Sequence, residues 1–206
     1  GNMGANIFYE LELKGVEFHI LAVDGNLQNR LTSTRKLVIP PGGRREVLVR
    51  GPSRRGLYKL VTRDFSTGPD GDQYPGQLMA TLRVSGKHVK KPMPLPHKFP
   101  RLEDLRKQKP DVVRKIVFDD TDDPNVFVID TRVWDRDRVD QFVALGNLEE
   151  WRVQNASGEF HVFHIHQGDF QVTEINGKRQ KFTGYQDVVN LPIATNRGNG
   201  EVVFRI

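Results

Sequence analysis

The chain has 206 residues, a length that allows one or two domains at roughly 150 residues each, and its 37% apolar content with 12 Phe suits packed cores rather than disorder. No apolar run approaches the roughly 20 residues that cross a bilayer, and the opening Gly1-Asn2-Met3-Gly4 lacks the basic-then-apolar layout of a signal peptide, so neither a membrane span nor an address is expected. With no cysteine, disulfides, thiolate metal sites, iron–sulfur clusters and cysteine nucleophiles are excluded within this chain, and a metal must be held by His, Asp or Glu.

From the N-terminus, short apolar runs at Phe8 to Leu13, Phe18 to Val23, Val47 to Val49, Leu57 to Val61 and Leu78 to Val84 are separated by Gly, Asn, Asp and Pro turns and read as strands. A second series follows at Lys115 to Phe118, Val126 to Ile129, Gln141 to Leu145 and Glu150 to Val153. Only Leu102 to Lys107 has a helical period. The Asp24-Gly25 and Asn176-Gly177 pairs stand where hairpin turns are expected, because these residues tolerate positive φ. Such spacing predicts an all-β fold, an antiparallel β-sandwich with Greek-key connections.

Between the two series, Lys87 to Lys109 holds eight Lys or Arg against Glu103 and Asp104, an excess of +6 that exceeds the net +5 of the whole chain. The same stretch contains Pro92, Pro94, Pro96 and Pro100, which favour extended segments and interrupt helix and strand. It reads as a solvated linker over residues 87–110. Without aromatic interleaving or a groove-reading motif, nucleic acid is not an expected partner.

An internal repeat is visible. The segment starting at Asn2 runs parallel to the segment starting at Asn155, at an offset of 153 that becomes 152 after one single-residue slip. Asn2 matches Asn155, Gly15 matches Gly168, and Asp24-Gly25 matches Asn176-Gly177; further on, Val47 and Val49 are matched to Val202 and Phe204. Copy one continues beyond Arg50 into further strands that copy two lacks, and copy two has strands before Asn155 that copy one lacks. Both sandwiches are therefore expected to be incomplete, the chain being part of a longer protein.

Three of the six histidines, His161, His164 and His166, lie within six residues. On a strand His164 and His166 share a face, roughly 7 Å apart along the chain, and His161 points elsewhere, so one strand could serve two sites. Imidazole suits copper, zinc, iron and nickel. The plainer alternative is a set of hydrogen-bonded histidines on a sandwich strand. Copy one, however, fills the equivalent positions with Phe8, Leu11 and Leu13, and exchanging these for imidazoles forgoes about 1.5–3 kcal/mol of burial per interior side chain. A compensating metal site is the favoured reading.

The span from Glu159 to Val172 resembles the His-Pro-x-His-x-His segment of the last cupredoxin domain of multicopper oxidases, with Val162 where the family usually has Pro. The segments "IPPGGRREVLV" and "YQDVVNLPI" are similar to the same family. The resemblance implies two incomplete cupredoxin-like domains: the C-terminal part of one without copper ligands (residues 1–86) and the N-terminal two thirds of a copper-binding one (residues 111–206). It implies that His161 ligates a type 1 copper, His164 a type 2 copper and His166 one of the type 3 pair, and that the family's His-Cys-His segment would follow Ile206. The implied activity is oxidation of phenols, aromatic amines, pigments or metal ions, with molecular oxygen as acceptor. The other ligands would come from the remainder of the protein or another copy, and the location would be periplasmic, cell-surface or secreted. The chain alone is expected to be colourless and inactive. Two alternatives stand beside this reading: a copper-free cupredoxin scaffold for protein contacts, and a metal-sequestering module using His164 and His166.

Other motifs carry less. His88 and His97 read as solvated and His19 as a satisfied sheet residue; the acidic run from Asp119 to Asp123 lacks the glycine and terminal Glu of a calcium loop. Gly42-Gly43 precedes no helix and makes no phosphate loop. Trp134 and Trp151 read as core or sheet-face aromatics.

Overall fold

The structure, a computed structural model, describes residues 1–123 and 126–206. The chain divides into two compact units. Unit 1 comprises residues 1–66, 73–102 and 183–188; unit 2 comprises residues 67–72, 103–182 and 189–206. Among the described residues the single helical element is a 3-10 turn, Leu105–Lys107, and all the rest of the regular structure is strand.

Unit 1 contains β1 (Tyr9–Leu13), β2 (Phe18–Val23), β3 (Asn26–Thr34), β4 (Lys36–Ile39), β5 (Arg45–Val49), β6 (Gly56–Thr62), β7 (Phe65–Ser66), β8 (Gln73–Tyr74) and β9 (Gln77–Val84). They form a sheet in the order β4-β1-β6-β9, a second in the order β3-β2-β5, and the small β7-β8 pair. Every neighbouring pair is antiparallel. Leu13, Val16, Phe18, Leu37 and Ile39 make the core, with Leu11, Ile20 and Val47 packed against it. That burial of alternate apolar positions is what holds the two sheets face to face.

In the second half of the chain lie β10 (Val112–Asp120), β11 (Phe127–Ile129), β12 (Glu149–Asn155), β13 (His161–His164), β14 (Gln171–Ile175), β15 (Lys178–Arg179), β16 (Val188–Leu191) and β17 (Gly200–Arg205). Six of them form one sheet, β11-β10-β12-β17-β14-β15, and β13 pairs with β16. β12 alternates strictly, burying Glu149, Trp151, Val153 and Asn155. The core gathers Trp151, Val153, Phe163, Phe170, Leu191, Val202 and Phe204, with Phe170 stacked on Phe204 at 4.3 Å between ring centroids. One pairing departs from the antiparallel expectation: β10 and β12 run parallel, Val112 opposite Glu149 through Phe118 opposite Asn155. A parallel pair needs a long connection, and residues 121–148 supply it.

The repeat is written in hydrogen bonds. Asn2 is buried and donates through Nδ2 to the carbonyls of Ile7 (2.7 Å) and Ile39 (3.0 Å), while its Oδ1 accepts from Gly4 N (2.9 Å). Asn155, also buried, donates to the carbonyls of Glu159 (2.7 Å) and Pro192 (3.1 Å) and accepts from Ser157 N (3.0 Å). Asp24 and Gly25 take φ of 53° and 88°, Asn176 and Gly177 of 49° and 70°, the left-handed pair of a two-residue hairpin turn. Asp24 Oδ1 accepts from Arg44 N at 2.8 Å, and Asn176 Oδ1 from Glu201 N at 2.9 Å. β2 slips register between Ile20 and Ala22, and β14 between Val172 and Glu174, so each copy bulges at the same place.

Four details differ from expectation. Ile20 lies opposite Val47 and Val172 opposite Phe204, so Val47 corresponds to Phe204 rather than to Val202. The apolar run Gln141 to Leu145 is no strand: it is largely exposed and takes a carbonyl hydrogen bond at Phe142 from Arg114 instead of ladder bonds. Trp134 is exposed, whereas Trp151 is core. Of the basic proline-rich stretch, residues 87–102 are without strand or helix and mostly exposed, but the end is anchored: Arg106 donates to the Gln180 carbonyl at 2.9 Å and Leu105 N to Gln171 Oε1 at 2.8 Å.

Candidate metal centre

β13 carries the histidines because its alternation is fixed by one residue, Phe163. This ring packs 5.1 Å from Phe204, 6.0 Å from Phe170 and 6.1 Å from Trp151, centroid to centroid, which anchors one face of β13 in the core. His161 shares that face at the start of the strand and is half-buried, its ring 6.1 Å from Phe118. Its Nε2 lies 3.0 Å from Ser157 Oγ and 3.6 Å from Asp120 Oδ1. His164 closes the strand on the opposite face and is exposed.

The strand stops at His164, and the chain bends at His166. The His164 and His166 rings consequently meet edge to face, with centroids 4.5 Å apart. This is closer than the roughly 7 Å that a continuing strand would impose. The expectation that all three imidazoles displace buried packing is corrected here. Phe8 and Leu13 are buried in copy one, but only His161 is partly buried in copy two. The reason is topological: β1 is flanked by β4 and β6, whereas β13, among the described residues, has β16 on one side and no strand on the other.

Ser157 and Asp120 lie beside His161, with Asn155 behind Ser157, and sequence reasoning gave none of the three a role at the site. The signal was present for two of them, since Asn155 matches Asn2 and Ser157 stands two residues beyond it. Among the described residues no group of three or more His, Asp or Glu side chains converges on one point. The donors nonetheless suit copper in kind: two neighbouring imidazoles at and just beyond the end of the strand and a third held apart on its other face, all borderline nitrogen ligands.

Residues 105–205 match the family model described as Multicopper oxidase. Over those residues, just under half of its length, the chain is similar to the multicopper oxidase family. The multicopper oxidase mco of Staphylococcus aureus is 33% identical over 102 residues, 47% of this chain and 22% of that protein. Among solved structures, a multicopper oxidase from Campylobacter jejuni described as a metallo-oxidase superposes with a TM-score of 0.80 at 23% identity, over 99% of this chain and 46% of that one. A laccase from Pediococcus acidilactici gives 0.77 at 22% identity, over 97% of this chain and 41% of that one. The chain thus spans less than half the length of each of these relatives. The fold is that of the cupredoxin-like multicopper oxidases.

Proposed function

We propose that this chain is part of a copper-dependent oxidase in which His161 serves a type 1 copper, His164 a type 2 copper and His166 one of a type 3 pair. The observation that carries the reading is the separation of the three imidazoles: His164, at the end of β13, in ring contact with His166 just beyond it, and His161 tied to Ser157 on the strand's other face. The family match over residues 105–205 supports it.

Copper held there would supply one-electron acceptance from a reductant and four-electron reduction of oxygen to water. The protein's own part is positional. Phe163 fixes β13 against Trp151 and Phe204, so that both kinds of histidine ride on one rigid backbone. Asn155 and Ser157 hold the His161 ring. The exposed edge of β13 leaves His164 and His166 able to share their metals with ligands from elsewhere in the protein or from another copy. The reductant belongs to the phenols, aromatic amines, pigments or metal ions, and the location is periplasmic, cell-surface or secreted.

The test is a Cu(II) titration of the chain in air, followed by electron paramagnetic resonance and visible absorption. An imidazole-nitrogen signal that disappears in the His164→Ala/His166→Ala double variant is expected. No intense blue band is expected, since that colour needs a thiolate and the chain has no cysteine. The same signal in the double variant, or a blue chain, overturns the assignment.

A further inference from the structure

We infer that Asn155 and Ser157 form a relay that dictates which nitrogen of His161 carries the proton, making Nδ1 the nitrogen that meets a metal. The inference deepens the copper reading above, on which the role of Nδ1 rests.

The relay begins at a buried amide. Asn155 Nδ2 donates to two carbonyls, Glu159 at 2.7 Å and Pro192 at 3.1 Å, so the amide cannot be flipped without facing oxygen against oxygen. Its Oδ1 is thereby fixed as an acceptor, and Ser157 Oγ lies 2.9 Å from it. A hydroxyl has one proton. Spent on Asn155 Oδ1, it leaves the Ser157 oxygen to accept, as it does from Glu159 N at 3.3 Å. The remaining approaches are the Glu159 carbonyl at 3.2 Å, a second acceptor for the hydroxyl proton, and His161 Nε2 at 3.0 Å; with two oxygens competing for that one proton, the nitrogen is the group left to donate and carries the N–H. Asp120 Oδ1, 3.6 Å from the same nitrogen, favours that proton too, because a carboxylate repels a bare lone pair. Among the described residues Nδ1 makes no hydrogen bond and keeps its lone pair for ligation.

The sister module shows that the relay is an addition. Asn2 makes the same two carbonyl bonds, but the residue two positions on is Gly4, with no hydroxyl, and the position of His161 is held by Phe8. Hydroxyl and imidazole are present together in one copy and absent together from the other. Ser157 and Asn155 are positioning residues.

The experiment uses the whole chain, metal-free and labelled with 15N-histidine, at about pH 8.5, above the ordinary imidazole range. Long-range 1H–15N correlations report the tautomer of each ring. His161 is expected as Nε2–H in the native chain, as a mixture of tautomers in Ser157→Ala, and again as Nε2–H in Ser157→Thr, with the Trp151 and Phe163 ring shifts unchanged throughout. Nδ1–H at His161 in the native chain overturns the relay whatever the variants do, and so does an unaltered His161 pattern in a folded Ser157→Ala. Because no metal is present in this measurement, it judges the relay alone; the copper assignment is judged by the Cu(II) titration.

Discussion

Arg114 and Glu149 close a forked ion pair between the parallel strands β10 and β12. The guanidinium donates through Nε to Oε2 and through Nη2 to Oε1, the latter at 2.9 Å, while the Trp151 indole donates to Oε2 at 2.8 Å. Glu149 is completely buried, and the guanidinium sits 5.7 Å over the Trp151 ring. The Arg114 hydrogen bond, outweighing burial, and then the indole hold the Glu149 carboxyl below the usual carboxylate range and raise the guanidinium's own affinity for its proton.

Arg114→Met should therefore cost about 3–5 kcal/mol at neutral pH, because it strands a buried carboxylate. A depressed carboxyl contributes stability that is complete above its unfolded value, about 4.3, and is lost as pH falls through the lower folded value. The native chain should lose this contribution in acid. The variant, whose Glu149 keeps only the Trp151 indole, has less to lose. Urea midpoints at pH 7 and in acid should show the gap between the two narrowing; a gap that widens removes the ion pair as its cause.

Gly25 and Gly177 have open space where a Cβ would stand, at φ of 88° and 70°. Alanine at either site meets no clash and pays only for its backbone, about 1–2 kcal/mol. Equal losses in chemical denaturation are expected from Gly25→Ala and Gly177→Ala. A strongly unequal pair would show that the two turns are not equivalent.

Gly200 is a different case. A Cβ there would overlap the Pro192 carbonyl, the same carbonyl that takes a hydrogen bond from Asn155. Gly200→Ala must displace that group, and with it the Asn155 amide. We expect an overpacking loss of about 1–3 kcal/mol together with altered His161 resonances, read from thermal unfolding and histidine spectra. Loss of stability with the His161 signals unmoved would separate the two.

Phe170→Ala should cost about 3–5 kcal/mol, since the ring is fully buried against Phe204. His164→Ala and His166→Ala, on exposed side chains, should stay within about 0.5 kcal/mol of the native chain while lowering its Cu(II) retention in equilibrium dialysis. A histidine variant as damaging as Phe170→Ala would make the cluster a packing feature.

What could be read in advance was whatever has a local chemical signature. The Asn2 and Asn155 match and the Asp24-Gly25 and Asn176-Gly177 turns were legible because each side chain performs a fixed backbone task. The change of offset from 153 to 152 marks the extra residue in one sequence gap, and the β2 and β14 bulges keep the copies alike on its far side. β4 and β16 escaped notice: each is four residues long and stops at a proline, Pro40 or Pro192. The β10–β12 pairing left no turn to read, since parallel neighbours are joined by a long excursion. Ser157 and Asp120 reach His161 from four and forty-one positions away and follow no period.

The make-up of the two units has a consequence for dissection. Residues 67–72, although early in the chain, complete unit 2, where Thr67 O accepts from Phe160 N at 2.6 Å and Thr67 Oγ1 bonds Glu159 at 3.0 Å. Residues 183–188, although late, complete unit 1, where Asp187 pairs with Arg44 at 2.7 Å. Severing the chain in the proline-rich stretch gives two pieces, each of which carries away a part the other requires. Neither fragment is expected to fold by itself, and co-expression of the two halves is expected to restore the native form.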